Sequence, residues 1–392
     1  MESRTNKTIC LACFGELDSD RVCTSCKQKS DDTPAPPHHL PPRTVLKNRY
    51  LICKAIGEGG FGITYLAWKF LEGDTKGTKV AIKELFPNAY VYRMHRSNNL
   101  EIKDKANLVA NSRSISRFMH EAKILASLKN TLGIVDVVDF FSANKTSYIV
   151  MEYLAGISLK NYHKQHGNIS MDNLIDILLP IFDGLEFVHE KGLIHRDISP
   201  DNIIILDKNK FAKLVDFGAS KSISITEQTS MSIVLKHGFA PEEQYRTNGE
   251  QGPWSDVYAL ACSMYYCMVG KLPPESIQRV SKDNIVPPSQ MNAEISKSQE
   301  IVLMRALSVY SKNRYQSISE FKLALLAAKP IKLFPTKTIA TSTSKDKNKD
   351  NNSESIKKSE PTKRNEQISN TSPITRTRHT SILSKMRSRN KK

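Results

Sequence analysis

The most informative segment of the chain is His195-Arg196-Asp197-Ile198-Ser199-Pro200-Asp201-Asn202. Fourteen residues after its end comes Asp216-Phe217-Gly218. Asp197 is a carboxylate that can orient an attacking hydroxyl group. Asn202 and Asp216 supply oxygen atoms of the kind that hold Mg²⁺ against phosphates. Phosphoryl transfer from ATP needs little more chemistry from a protein than these side chains, so the stretch predicts a centre for that reaction.

A glycine-rich segment upstream supports this interpretation. Residues 57–62 read Gly-Glu-Gly-Gly-Phe-Gly, a pattern that dinucleotide-binding folds also carry. Here β-branched and aromatic residues flank the glycines on both sides, which predicts a hairpin that lies over phosphates, with Gly57, Gly59 and Gly62 allowing close backbone approach. Val80-Ala81-Ile82-Lys83 then predicts a strand ending in a lysine.

In this order the motifs resemble the protein kinase family over about residues 45 to 328. The resemblance implies that Lys83 contacts the ATP phosphates and forms an ion pair with Glu121 on a helix. It also implies that the backbone of Glu152 and Leu154, beside a gatekeeper at Met151, meets adenine. Downstream, it makes Ala240-Pro241-Glu242 the end of the activation segment and pairs Arg314 with its glutamate.

The chain departs from the usual serine/threonine kinase pattern at Ser199, where a lysine normally steadies the γ-phosphate. Lys236 occupies a position that usually holds threonine, so we expect the missing cation to be supplied there. Residues 82–87, 195–202 and 238–245 resemble a bacterial subgroup of the family. We therefore expect a bacterial serine/threonine kinase that uses ATP with Mg²⁺ or Mn²⁺. A pseudokinase scaffold that binds partners without catalysis is the alternative.

The expected fold class is α+β, a two-lobed kinase fold with a β-rich small lobe (about 45–151) and a mainly α large lobe (about 154–328). A small zinc ribbon precedes it and a disordered basic tail follows it. The activation segment between Gly218 and Lys236 is rich in serine and threonine. Autophosphorylation is expected at one or more of Thr226, Thr229 and Ser230, with further sites in the Ser/Thr-rich tail. The alternative stays open that this segment is a flexible loop rich in hydroxyl groups without a switching role.

Four of the seven cysteines lie in residues 1–30, as Cys10, Cys13, Cys23 and Cys26. Two C-x-x-C knuckles can place four thiolates on one Zn²⁺, and so short a segment needs such a staple. Disulfides are the competing interpretation, which the expected cytoplasmic location disfavours. The remaining cysteines, Cys53, Cys262 and Cys267, are expected to be buried.

A proline-rich linker, residues 31–44, has five prolines within residues 33–42. This composition predicts an extended spacer that holds the zinc module away from the small lobe. His38 and His39 lie in it and are more readily explained as solvated than as metal ligands. Between Lys83 and Glu121, the basic stretch from Arg93 to Arg117 is expected to be a tolerated surface loop more than a device that moves the helix.

The tail, residues 329–392, is basic and poor in apolar residues. Residues 336–392 hold 15 Lys and Arg against 5 Asp and Glu, which is +10 of the chain's net +17. Disorder is expected, with acidic proteins or nucleic acid as possible partners and a solvated tail without ligand as the other alternative. We also expect protein substrates, self-association for trans-autophosphorylation, and a cytoplasmic location without a membrane span.

Overall fold

The computed structural model describes residues 8–30, 35–71, 76–94, 97–208, 210–217, 221–222, 238–246 and 248–330, with only the backbone described at 221–222. The predictions for Lys236, for Thr226, Thr229 and Ser230, and for all but the first residues of the basic tail lie outside the described residues.

The small lobe is built on antiparallel strands. These are β1 (Val45–Leu46), β2 (Tyr50–Gly59), β3 (Gly62–Lys69), β4 (Thr78–Leu85), β5 (Val91–Arg93), β6 (Leu100–Ile102), β7 (Val137–Ala143) and β8 (Thr146–Glu152). Six of them form one sheet in the order β1-β2-β3-β4-β8-β7, and β5 pairs with β6 as a separate hairpin. Alternate residues of β8 serve two cores: Tyr148 and Val150 join the small-lobe cluster, whereas Ile149 and Met151 join the larger cluster that extends into the helical lobe.

The stretch predicted as a surface loop before the Glu121 helix is folded, which corrects that expectation. It contains the last residue of β5 and all of β6, and helix α1 (Leu108–Ser127) begins well before Arg117. Arg93 is buried, and its Nη2 atom donates to Glu84 Oε2 at 2.6 Å. Composition did not reveal this pairing because the two charges meet only when the hairpin folds back on β4.

The large lobe is mainly helical. Its helices are α2 (Leu159–His166), α3 (Met171–Glu190), α4 (Pro253–Val269), α5 (Ser276–Arg279), α6 (Lys297–Ala306) and α7 (Ile318–Ala327). Serine side chains cap the starts of four of them by accepting a backbone N–H, at Ser158, Ser170, Ser296 and Ser317. Helix α4 is buried along nearly its whole length, and Cys262 and Cys267 lie in the core as predicted. No helix among the described residues is long and apolar enough to cross a bilayer.

The large lobe also contains short strands. β9 (Gly156–Ser158), β11 (Ile203–Leu206) and β12 (Ala212–Leu214) form a three-stranded sheet, and β10 (Leu193–Ile194) pairs with β13 (Lys221–Ser222). The predicted two-lobed α+β fold is confirmed.

The N-terminal module packs against the small lobe. Phe14 lies against Trp68, with ring centroids 5.5 Å apart, and both belong to an apolar cluster with Ile9, Leu51 and Cys53. The Trp68 indole N–H donates to the carbonyl of Leu11 at 2.8 Å. The expectation that the linker holds the module away from the lobe is therefore wrong: proline content predicted an extended chain but carried no information about the apolar surface that the module covers.

Candidate active site

The catalytic loop, residues 195–202, is held by the carboxylate of Asp256 at the start of α4. Asp256 Oδ2 accepts the backbone N–H of His195 at 2.8 Å, and Oδ1 accepts that of Arg196 at 2.9 Å. His189 Nε2 lies 2.8 Å from Oδ2. Burial by itself raises the pKa of the Asp256 carboxyl, but the hydrogen bond and charge of His189 and the N–H of Arg196 outweigh it, so the pKa lies below its usual range. An ionised carboxylate therefore fixes the backbone that carries Asp197.

His195 joins the catalytic loop to the strand end before Asp216. Its Nδ1 accepts the N–H of Asp197 at 3.2 Å, and its Nε2 donates to the carbonyl of Val215 at 3.2 Å. Complete burial lowers the pKa of His195 although the nearby carboxylates oppose the shift. Both contacts fit the neutral imidazole protonated at Nε2, so His195 acts as a structural bridge.

The β11–β12 hairpin brings the two predicted Mg²⁺ ligands together. Asn202 directly precedes β11, Asp216 follows β12 by one residue, and the Val215 N–H donates to the Asn202 carbonyl at 2.9 Å. The Asn202 side-chain amide donates to Asp197 Oδ2 at 2.9 Å and to the Asp197 carbonyl at 2.8 Å. The amide oxygen of Asn202 and the carboxylate of Asp216 are hard donors that suit Mg²⁺.

Lys83, near the end of β4, forms an ion pair with Asp216 Oδ1. Lys83 and Glu121 also line one small pocket between α1 and β8. Apolar side chains complete this pocket, namely Phe118, Leu125, Ile149, Met151 and Phe217. The structure pairs Lys83 with Asp216 and brings Glu121 to the same pocket, so the ion pair between Lys83 and Glu121 stays a prediction.

The glycine-rich segment is the turn between β2 and β3, with Gly59 opposite Gly62. A Cβ at Gly62 would lie 2.5 Å from the backbone oxygen of Glu84, so glycine is required for β3 to pack on β4. A Cβ at Gly59 would meet nothing within 4 Å, and one at Gly57 only Thr64 at 3.9 Å. The open side of these two glycines is where phosphate is expected, and that role stays a prediction.

The segment predicted to meet adenine follows the gatekeeper position, Met151, at the end of β8. The Glu152 N–H donates to the Asp136 carbonyl at 3.0 Å, so an adenine contact at this residue falls to its carbonyl oxygen. The Glu152 carboxylate accepts the Asp136 N–H at 2.8 Å and pairs with Lys213. Leu154 follows in the connection to β9. Adenine binding at both residues remains a prediction.

Arg314 pairs with Glu243 instead of the predicted Glu242. Its Nη1 and Nη2 atoms donate to the two Glu243 oxygens at 2.7 and 3.0 Å, and Ser255 Oγ donates to Oε1 at 2.8 Å. Glu242 contacts Arg246 Nε at 2.5 Å. A short 3₁₀ turn over Glu242–Gln244 directs the second glutamate inward, which a motif read by position could not indicate.

Sequence reasoning also missed the role of Asp256 in holding the catalytic loop. The available signal was an acidic residue that opens an otherwise apolar helix, because a buried carboxylate there needs several donors. Ser199, where the usual lysine is missing, is fully buried, and its proposed substitute Lys236 lies outside the described residues.

The four N-terminal cysteines converge. Cys10 and Cys26 Sγ atoms are 3.7 Å apart, those of Cys13 and Cys23 are 3.4 Å apart, and all four lie within 4.8 Å of one another. Disulfide sulfurs are separated by only about 2.05 Å. Four thiolates at about 2.3 Å from one tetrahedral Zn²⁺ would be spaced by about 3.8 Å, so the cluster fits zinc.

The environment of Cys23 supports this fit. The Cys26 N–H donates to Cys23 Sγ at 3.5 Å. Burial by itself raises the pKa of the Cys23 thiol, but the N–H groups of Cys26 and Ser25 and the neighbouring thiols lower it to about 6. Burial raises the pKa of the Cys10 and Cys13 thiols, so without a metal ion the negative charge of the cluster falls on Cys23. A thiolate is the form that binds metal.

Comparison with known proteins gives a consistent set of similarities. Residues 50–332 match the family model described as protein kinase domain. A probable serine/threonine-protein kinase of Clostridium acetobutylicum is 30% identical over 285 residues, which are 71% of this chain and 39% of that protein. Serine/threonine-protein kinase PknA of Nostoc sp. is 31% identical over 291 residues, 72% of this chain and 47% of that protein.

Among solved structures, the one titled PpkA-294 apo form is similar with a TM-score of 0.61 and 32% identity, covering 74% of this chain and 99% of that chain. This chain spans about two fifths of the length of the Clostridium relative and just under half of the Nostoc relative.

Proposed function

Because this chain belongs to the protein kinase family, we propose that it transfers the γ-phosphate of ATP to serine and threonine hydroxyls of proteins. The observation that carries the proposal is the β11–β12 hairpin. Its ends bring Asn202 beside Asp216, while the Asn202 amide holds the carboxylate of Asp197 at 2.9 Å. A protein kinase domain uses ATP and a divalent metal ion, and the oxygens of Asn202 and Asp216 fit that ion.

In this proposal each side chain has one task. Asp197 orients the acceptor hydroxyl and takes its proton, in a position fixed through its backbone by His195 and through its carboxylate by Asn202. Lys83 contacts the α and β phosphates of bound ATP, and this contact replaces part of its ion pair with Asp216. Bound Mg²⁺ would neutralise charge that develops on the phosphates. Lys236 supplies the cation that Ser199 lacks.

Phosphorylation by the full chain with radiolabelled ATP and Mg²⁺ tests the activity. We expect label on the protein itself and on a generic acceptor such as casein, with phosphoserine and phosphothreonine on mapping. Asp197→Asn keeps the packing but cannot accept the proton, so its rate should fall by at least about a hundredfold while nucleotide binding persists. Equal labelling by both proteins would contradict the role of Asp197.

The pseudokinase alternative, suggested by Ser199 alone, finds no support among the relatives, which are named as kinases. The same assay separates the two functions. A wild-type protein that binds ATP but transfers no phosphate to any acceptor would favour the scaffold.

We also propose that Cys10, Cys13, Cys23 and Cys26 hold a structural Zn²⁺, on the strength of the Sγ distances. Purified protein should contain zinc bound to this cluster, and a Cys10→Ser/Cys13→Ser variant should lose it. An intramolecular disulfide between any of these cysteines would contradict the assignment.

Partners and switching form the last part of the proposal. Kinase relatives imply protein substrates, and self-association would allow autophosphorylation at Thr226, Thr229 or Ser230 in the cytoplasm. Mass spectrometry of wild type beside Asp197→Asn tests this. Unmodified activation-segment peptides in an active preparation would contradict switching by phosphorylation. Contacts of the basic tail with acidic proteins or nucleic acid remain predictions.

A further inference from the structure

The linker carries two histidines to the glycine-rich turn. A turn closed by the His39 N–H on the Pro36 carbonyl, at 2.9 Å, presents both imidazoles on the same side. His38 Nε2 lies 2.9 Å from Glu58 Oε1, and His39 Nε2 lies 3.0 Å from Glu58 Oε2. Glu58 stands between Gly57 and Gly59 in β2. Segments that are separate in the sequence therefore meet at one carboxylate.

Residues of the small lobe hold the backbone around the two histidines. Arg93 Nε donates to the His38 carbonyl at 3.0 Å, and the Leu40 N–H donates to the Tyr65 hydroxyl at 3.0 Å. Arg93 and Tyr65 both bind the fully buried carboxylate of Glu84. This arrangement anchors the turn to the centre of the small lobe, so the two imidazoles do not have to be ordered by a ligand.

The three side chains form a metal-ligand set. One ligand atom from each lies within 4.8 Å of the other two. Two imidazole nitrogens with one carboxylate oxygen are donors that Zn²⁺ and similar divalent transition metals prefer. The side chains of His38 and Glu58 are 41% and 47% exposed, which leaves room for water to complete the coordination.

We propose that His38, His39 and Glu58 form a second metal site, selective for divalent transition metals, that ties the linker to the glycine-rich turn. It is distinct from the four-cysteine cluster. Metal bound here would connect the turn to the buried Glu84, the residue next to Lys83. The site itself does not depend on the proposed kinase function.

Zinc binding to the full chain tests the site. In competition with a fluorescent zinc chelator, the wild type should bind one more zinc ion per chain than a His38→Gln/His39→Gln variant. Glu58→Gln should weaken that additional site by at least about tenfold. His166→Gln, which removes an exposed histidine from α2, is the matched control and should bind as the wild type does. Equal zinc content in the wild type and the double variant would overturn the site, whether or not the cysteine cluster holds zinc.

Hydrogen exchange tests the restraint without any nucleotide. Added Zn²⁺ should slow amide exchange in peptides that cover residues 54–66 of the wild type and leave the His38→Gln/His39→Gln variant unchanged. Zinc-dependent protection of equal size in both proteins would overturn the proposal. Zinc binding without protection in the wild type would overturn the link to the glycine-rich turn.

Discussion

Arg196 and Asp216 both have left-handed backbone conformations, with φ of 71° and 67°. Such a conformation costs a residue other than glycine about 1–2 kcal/mol. Asp256 accepts the N–H of Arg196, and Lys83 binds the side chain of Asp216, so contacts from distant segments offset the cost. Arg196 and Asp216 are therefore held by the fold and not by their own local preferences.

Asp256→Asn tests this support. An amide presents an N–H₂ group to one of the two backbone donors, so we expect a loss of about 2–4 kcal/mol in the free energy of unfolding and a slower reaction. The Asp256 pKa is depressed in the folded protein, so its stabilisation is complete above the unfolded value of about 3.9 and is lost as pH falls through the folded pKa. Urea unfolding should give a constant difference from pH 7 to about pH 5 and a smaller one near pH 3.

Asp176→Asn is the control for that measurement. The Asp176 side chain is 68% exposed and pairs with Lys329, so its loss should cost less than about 1 kcal/mol. A difference between wild type and Asp256→Asn that is the same at pH 3 as at pH 7 would show that the ionised carboxylate does not supply the support.

The displaced cation gives a second prediction at the scale of single residues. If Lys236 serves the γ-phosphate, Lys236→Ala should lower kcat much more than it raises the KM for ATP. Adding Ser199→Lys should then restore part of the rate. Steady-state kinetics of the two variants test this. A small loss of kcat in Lys236→Ala without rescue by Ser199→Lys would contradict the role of Lys236 at the γ-phosphate.

Strand β4 has two different faces. Lys83 pairs with Asp216 and lines the pocket beside α1, whereas its neighbour Glu84 points to the opposite face. There Glu84 accepts hydrogen bonds from Tyr65, Tyr148 and Arg93 at 3.0, 2.7 and 2.6 Å. Burial, and after it the charge of Glu84, raises the pKa of both tyrosines, so they stay neutral donors. The β5–β6 hairpin thus helps to hold the strand that carries Lys83.

Arg93→Ala should therefore be costly. It leaves the Glu84 carboxylate buried without its cation, which we expect to lower the free energy of unfolding by about 3–5 kcal/mol. Lys145→Ala is the matched control, because it breaks the exposed pair with Glu101 on the same hairpin and should cost less than about 1 kcal/mol. Chemical unfolding of the two variants compares them directly. Similar losses in the free energy of unfolding would show that the buried pair of Arg93 and Glu84 contributes no more than the exposed pair.

At the element scale, the sequence predicted what local spacing determines. The catalytic loop, the glycine turn and the lysine strand were identified because each is a short motif with its own chemistry. The pairs Arg93 with Glu84, Arg314 with Glu243 and His39 with Glu58 were missed or misassigned. Each of these pairs depends on how separate segments pack, and many charges in the chain offer equally plausible partners.

For the whole molecule, the N-terminal module is part of the small lobe's surface. The Trp68 ring is covered by Phe14, and its indole N–H is bound by the Leu11 carbonyl. The chain has two tryptophans, and the other, Trp254, lies at the start of α4. Tryptophan emission can therefore report on the contact between the module and the lobe.

Removal of zinc should be visible at Trp68. If zinc holds the cysteine knuckles, chelation should loosen the module, expose the indole and shift the emission to longer wavelength. A Trp68→Phe variant should lose the shift, and re-addition of zinc should reverse it in the wild type. A shift of the same size in Trp68→Phe would locate the change at Trp254 and contradict this coupling.

The apolar contact beneath the module also bears on how the chain can be divided into fragments for study. The match to the family model begins at residue 50, but the folded surface begins by Ile9. A recombinant fragment cut at the family boundary would expose Leu51, Cys53 and Trp68 together to water. An exposed apolar patch of this kind promotes aggregation. Poor solubility of such a fragment would then result from the loss of the N-terminal module and not from a kinase domain that fails to fold.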